Sequence, residues 1–511
     1  MKPSNELFVL IKSLTKSEKR FFKLNSAIQT GEKNYLKIFD FIEKSDVYDE
    51  AELKNHFKNE RFINHLPSEK NHLYKLILKS LRSFYSEQSI SSILKEELKN
   101  IEILFNKALY KECRKFLKRA KKIARESEKF YYLIELIAWE KKLIEEFYES
   151  GDFNVNLDDL IKEEEEIIAM LRNLAEYHVL YSKINAIFRS GGFAKNANER
   201  KTVDEIADYH LIKGKNTALS TRAASICYYI KGLCAATQRN YKDSYTFFNK
   251  TKSILDNHPK LKQDLAQRYL STLFHLHRSY VDGAEYEKAQ EMLNEIKALD
   301  GKKGFKSTDI TLKIRSISFN EQLIINNHQG DFKSSVDQIE HEDSNSQSWR
   351  KQISKERNMQ LLYNSAYTYF GYGDYKKALY YVNTILNDNE QNLRQDIYNF
   401  TRILNLIIHL ELQNYEYLDY VVKSTTRYIK KTERDYSVEH ILIKYIRKLI
   451  KISDPETSKA TFKEMYEEFS ELLIDHDERV ILEYMDIKSW IYSKYSDCSM
   501  KEAIASVWQL A

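Results

Sequence analysis

The chain has 511 residues, 80 of them basic and 75 acidic, so its net charge is only +5. Four prolines and twelve glycines over that length fall far below ordinary usage and exclude the turn-rich all-β and Rossmann-type folds. The near-balanced charge does not by itself point to nucleic acid, and Cys113, Cys227, Cys234 and Cys498 are too few for a disulfide framework. Leu, Ile, Tyr, Lys and Glu recur in short amphipathic periods, which predicts an all-α chain. The apolar run at residues 7–11 is too short for a signal segment. No apolar stretch reaches the roughly 18 residues of a membrane span. The expectation is a soluble, cytoplasmic protein with no membrane span.

Residues 1–95 read as an N-terminal helical module that also caps the helical array after it. Ser4 starts a short helix bearing Leu7, Phe8, Leu10, Ile11 and Leu14. Thr15-Lys16-Ser17-Glu18 is a capping box that opens the next helix, and Asp49-Glu50-Ala51-Glu52 has the same form. A long helix follows Pro67-Ser68. Helices near 34–45, 50–58 and 68–86 are compatible with a helix-turn-helix, which would bring Lys75, Lys79 and Arg82 to phosphate. Glu69 and His72 form a lone Glu-x-x-His, whereas a di-iron bundle needs two such pairs.

Residues 96–435 repeat. An aromatic that follows a short polar or glycine turn and opens a helix recurs at Tyr110, Phe153, Phe193, Tyr241, Tyr286, Phe332, Tyr375 and Tyr415, at spacings of 40–48 residues. A period in that band marks stacked helical hairpins. Gly330 and Gly373 suit the left-handed position after a helix, and Asp331 and Asp374 can cap the next one. Three residues past the aromatic a small side chain admits close helix crossing: Ser244, Ala289, Ser335 and Ala378. One turn later comes a large apolar residue: Phe248, Leu293, Ile339 and Val382. Phe153 and Phe193 depart from the pattern, with Asn156 and Asn196 at the small position.

Gly373-Asp374-Tyr375-Lys376-Lys377-Ala378-Leu379 resembles the second half of a tetratricopeptide (TPR) repeat. Tyr369 and Ala366 match the aromatic and small positions of its first helix. The copy at Tyr286 agrees through Leu273, Leu276, Tyr280 and Ala289, and the copy at Tyr241 through Gly232. The period exceeds the TPR length of 34, and the closing proline is missing from nearly every copy. Residues 14–23 also resemble the opening of uncharacterised bacterial TPR-type proteins. The resemblance covers roughly residues 95–435. It implies a right-handed superhelical α-solenoid whose first helices line a concave, partner-binding groove. Carried over by position, the groove residues are Tyr229, Phe274, Arg278, Asn320, Tyr363 and Tyr367.

Beyond 435 the period fades, and residues 436–511 read as two further hairpins, one starting near Pro455, that close the last apolar face. The remaining motifs each fail a chemical test. The loop Asp300-Gly301-Lys302-Lys303-Gly304-Phe305-Lys306-Ser307 lacks the glycine spacing and the Gly-Lys-Ser/Thr of a phosphate loop. Four consecutive glutamates at 163–166 point around a helix and read as a solvated face. His275 and His277 are two apart, on different helix faces, and cannot chelate together. Lys111, Lys115, Lys118, Lys122 and Arg125 form a basic stripe. Its preferred reading is a solvated outer face, with an RNA, DNA or acidic protein partner the rarer alternative.

The sequence therefore predicts a scaffold or adaptor that binds a protein or peptide, with no catalytic residues, metal or cofactor. Two alternatives stay open. One is a ligand-gated regulator whose N-terminal module contacts DNA or a regulator protein. The other is an enzyme whose site is assembled across the repeats. Oligomeric state is left open.

Overall fold

The computed structural model describes residues 5–27, 33–149, 157–189, 192–194, 197–344, 349–390, 393–431, 436–475 and 478–509. Every regular element among them is helical, and no described helix is long and apolar enough to cross a membrane. The chain divides into two compact units, Met1–Ile168 and Ala169–Ala511.

The first unit holds α1 (Glu6–Ser13), α2 (Lys16–Ala27), α3 (Asn34–Lys44), α4 (Glu50–His56), α5 (Leu66–Phe84), α6 (Ile90–Asn106), α7 (Tyr110–Glu126) and α8 (Phe130–Glu149). Residues between Leu7 and Ile77 share one core around the fully buried Ile38, Phe39, Leu53 and Leu73. The capping box forms: the Thr15 amide donates to Glu18 at 2.6 Å and the Glu18 amide donates to Thr15 Oγ1 at 3.3 Å. The Tyr85 hydroxyl donates to the same Glu18 at 2.5 Å, tying the end of α5 to the start of α2. Helices α6, α7 and α8 pack on one another in chain order. The unit runs to Ile168, so it also takes in helices that come after residue 95.

Helix α9 (Leu157–Arg189) runs through the division. The second unit continues with α10 (Ala197–Asp208), α11 (His210–Lys213), α12 (Thr221–Thr237), α13 (Tyr241–Asp256), α14 (Pro259–Asp264), α15 (Ala266–Asp282), α16 (Tyr286–Lys297), α17 (Thr308–His328) and α18 (Phe332–Ser344). It ends with α19 (Lys355–Tyr372), α20 (Tyr375–Leu386), α21 (Gln395–Glu411), α22 (Tyr415–Lys431), α23 (Ser437–Leu449), α24 (Pro455–Leu472), α25 (Ile487–Tyr495) and α26 (Met500–Gln509).

Six of the eight aromatic marks are the first residue of a helix: Tyr110, Tyr241, Tyr286, Phe332, Tyr375 and Tyr415. Phe193 is not. It lies outside any helix, buried beneath the Arg239 guanidinium at 4.6 Å. Phe153 lies outside the described residues. Gly330 and Gly373 are left-handed, at φ 72° and 91°. Ala108, Arg239, Ala284 and Gln413 hold the same conformation two residues before their marks, with φ of 54–57°, so the turn is kept where glycine is absent. Asp374 accepts from the Lys377 amide at 3.0 Å and Asp331 from the Ser334 amide at 3.3 Å. Ser244, Ala289, Ser335 and Ala378 are buried, and so are Phe248, Leu293, Ile339 and Val382 one turn on.

Two glycines in first helices make room for aromatics of the second. A Cβ on Gly371 would collide with the Phe332 ring, and one on Gly232 would lie 2.8 Å from Phe248.

Candidate functional site

The first helices α12, α15, α17 and α19 carry many buried polar residues, and several of these polar groups find a partner on the neighbouring first helix. Arg268 donates to Ser225 (3.1 Å) and Tyr229 meets His275 (3.1 Å), while at the exposed rim Gln267 donates to Asp309 (2.7 Å). Further along, Arg357 donates to Ser316 (2.9 Å), Asn364 to Asn320 (2.7 Å) and Asn327 to Thr368 (2.9 Å). These partners are 41–46 residues apart, the same interval that separates the aromatic marks. Offsets confined to 41–46 residues along successive helices mean that these first helices run parallel, in nearly the same register. Buried amides and hydroxyls are costly when unpaired, so the offset is enforced at several levels.

These helices surround a cavity of about 480 Å³, inside the range of small-molecule and short-peptide sites. All six groove residues named from the sequence line it: Tyr229, Phe274, Arg278, Asn320, Tyr363 and Tyr367. The basic stripe lies on α7 in the first unit. There Lys111, Lys115, Lys118 and Lys122 lie along the helix, while Arg125 pairs with Glu163 at 2.5 Å. His275 and His277 face different ways, His275 toward Tyr229 and Phe248, His277 toward Glu321. Among the described residues no three His, Cys, Asp or Glu side chains are grouped to hold a metal.

One wall has no counterpart in the sequence reading. After α24 the chain returns through a 3-10 turn (Glu478–Glu483) and crosses the inner face at residues 482–486. Tyr363 donates to the Tyr484 carbonyl at 3.3 Å, and the Asp486 amide donates to the Tyr367 hydroxyl at 3.0 Å. The Tyr484 ring stacks on Phe400 at 4.0 Å, and its hydroxyl donates to Asp396 at 2.6 Å. Glu483 accepts from the Tyr241 hydroxyl at 3.0 Å and lies 3.7 Å from Arg239. Tyr241 therefore both opens a repeat and anchors this strap. Beyond it, Trp490 and Lys494 bond Glu411, each at 2.6 Å, and α26 packs on α19. Residues 436–511 thus do more than extend the hairpins, because residues 482–486 line the cavity. No local periodicity encodes such a contact, which joins residues more than 80 apart.

The charges on the wall are mostly matched. Ion pairs join Arg189 with Glu356 (2.7 Å), Arg239 with Glu483, Arg278 with Glu321 (3.6 Å), Lys313 with Asp309 (2.7 Å) and Arg394 with Asp396 (2.6 Å). Burial works against the Asp396 carboxylate, but Arg394 and the Tyr484 hydroxyl outweigh it and hold its pKa below the usual value. Burial likewise opposes the charge on Arg278, and Glu321, Asp282 and Glu483 together raise its pKa. Asp486 accepts from the Ser489 amide and hydroxyl and from the Trp508 indole.

Asp282 and Arg357 differ from the rest. Among the described residues neither has an opposite charge within 4.0 Å, and Asp282 accepts no hydrogen bond. Asp282 stays accessible to water in the cavity, yet protein encloses most of its surroundings. That desolvation pushes its carboxyl up to about 6, against the pull of Arg278 and with the help of Glu483 and Glu321. Burial lowers the pKa of Arg357. His275 is neutral, its pKa pushed down to about 3 by burial and by Arg278.

Comparison with known protein families finds no family model that matches this chain, and no curated protein matches it.

Proposed function

We propose that the second unit is a TPR-like right-handed solenoid that binds a short, extended peptide of a partner in its inner groove and performs no chemistry on it. The observation that carries this reading is the run of side-chain amides, Asn320, Asn327 and Asn364, along one cavity. Side-chain amides both donate and accept, so they match the alternating groups of an extended backbone. Among the described residues no hydroxyl or thiol hydrogen-bonds to Asp282, so this carboxyl, raised to about 6, has no nucleophile to activate.

The test is capture from native cytoplasm with the full chain, followed by peptide arrays of whatever is retained. Asn320→Ala combined with Asn364→Ala is expected to abolish retention with helicity unchanged. Retention at full strength would remove the groove from the function.

A second reading, a regulator whose first unit contacts DNA, is favoured by one observation. Lys75, Lys79 and Arg82 lie along α5 at helical spacing. It predicts DNA affinity that falls steeply with salt, and a salt-insensitive or absent affinity would sink it.

A further inference from the structure

The matched charges of the cavity leave one carboxylate and one guanidinium over, and they stand at opposite ends. Asp282 is the last residue of α15, whereas Arg357 lies in the first turn of α19. The inner helices are parallel, so their registers can be compared. Arg278 is level with Glu321, and Ser316 is level with Arg357. The level of Arg357 therefore falls about nine residues before Asp282, an axial distance of about 14 Å. Two inter-helix steps of about 8–10 Å each lie across it. The two unmatched charges are thus roughly 20 Å apart, the length of about six extended residues.

Arg357 donates to Ser316 and to the Lys313 carbonyl, yet among the described residues neither charge has an ion-pair partner within 4.0 Å. Asp282 is exposed to the cavity and Arg357 is half-buried, and a charge held partly out of water without an opposite charge costs stability. Each of the other charged side chains named on this wall has an ion pair or, for Asp486, three donors. Arg357 is held in place by Ser316, with the rest of its guanidinium fork unspent on any carboxylate. Asp282 sits beside Arg278 and Glu483 but bonds neither within the described residues. Between them lie the amides of Asn320 and Asn364. A ligand that completes this wall needs a cation at one end, a planar anion at the other and a polar chain between.

We infer that the cavity selects a short linear peptide with both ends free, its terminal ammonium at Asp282 and its terminal carboxylate at Arg357. This rests on the peptide-binding reading above and narrows it to the peptide's ends. Bidentate pairing of a carboxylate with a guanidinium is directional, so Arg357 also sets the polarity with which the chain enters.

The experiment uses the full-length protein and four equimolar pentapeptide pools: free, N-acetylated, C-amidated and doubly blocked. Native mass spectrometry reads the bound fraction. The free pool is expected to bind at least tenfold more tightly than either singly blocked pool. Asp282→Asn is expected to erase the preference for a free amine and Arg357→Gln the preference for a free carboxylate, each leaving the other intact. If blocked and free pools bind equally, the two-ended selection is overturned while peptide binding stands. If no pool binds, both are overturned. The comparison of pools on the unaltered protein needs no variant, so a variant that fails to fold does not spare the inference.

Discussion

The second helices of the hairpins and the first helices solve burial differently. Helix α20 buries one stripe, Ala378, Tyr381, Val382 and Ile385, and leaves Tyr380 exposed. Helix α17 buries Ile314, Phe319 and Leu323 but also Ser316, Asn320, Glu321 and Asn327. A helix with one packed face needs only apolar residues on it. A helix with neighbours on several sides must bury polar positions too, and it retains them only where an adjacent helix supplies a partner. The second helices therefore carry mainly stability, with α13 adding Tyr241, Ser244 and Phe248 to the cavity wall, while the first helices carry stability and most of the cavity together. Substitutions should separate these two roles.

The largest effect is expected where the two kinds of helix touch most closely. Gly371→Leu would drive a side chain into the Phe332 ring, and overpacking of this kind costs about 3 kcal/mol or more when backbone must shift. Urea denaturation of the full chain reads it directly, and an unchanged midpoint would mean that α18 and α19 separate freely.

Acid comes next. His275 is buried and neutral with a pKa of about 3, against about 6.5 in an unfolded chain. Its folded value is depressed, so its contribution is complete above pH 6.5 and is lost progressively as pH falls from there toward 3. At pH 5 the loss is about 2 kcal/mol. His275→Phe should flatten the slope of stability against pH between 6.5 and 5. His277 is depressed in the same sense and preserves part of it. Asp282, with its carboxyl raised to about 6, works in the opposite direction. It destabilises the fold as pH rises from its unfolded pKa toward its folded one, and Asp282→Asn should remove that component.

Asn320→Ala sharpens the contrast. It removes a buried amide bonded to Asn364 and Glu321, at about 1 kcal/mol of stability, yet it should eliminate peptide capture. Leu293→Ala on the second helix α16 should do the reverse, lowering stability by about 2–5 kcal/mol while the remaining folded protein captures peptide normally.

The smallest effect is a gain. Ala284 holds φ 56°, a conformation that costs a non-glycine residue about 1–2 kcal/mol, part of which glycine returns as unfolded-state entropy. Ala284→Gly should stabilise by about 0.5 kcal/mol, readable as a small upward shift in urea midpoint.

How far these features were legible differs residue by residue. The turn before Tyr375 could be read because Gly373 and Asp374 each have a local backbone reason to be there. The equivalent turns at Ala284 and Gln413 could not, since nothing in an alanine or a glutamine announces a left-handed backbone. Phe193 follows two glycines yet opens no helix, so the aromatic-after-glycine pattern alone was not enough to place a helix start. The six groove residues were named by their place in a repeat, and they line one cavity. Asp282 was not among them, because a carboxylate at a helix end reads as solvated until its surroundings are known.

By itself the sequence determined the helices, their aromatic starting points and the interval of about 40–48 residues between them. Those depend on caps, turn residues and apolar spacing, all of which act over a few residues. Only the tertiary structure decided which polar groups meet across neighbouring repeats, that residues 482–486 cross the inner face, and that Asp282 and Arg357 remain unmatched. Charge pairing and cavity shape depend on side chains far apart in the chain, and they exist only once the inner helices are packed in register.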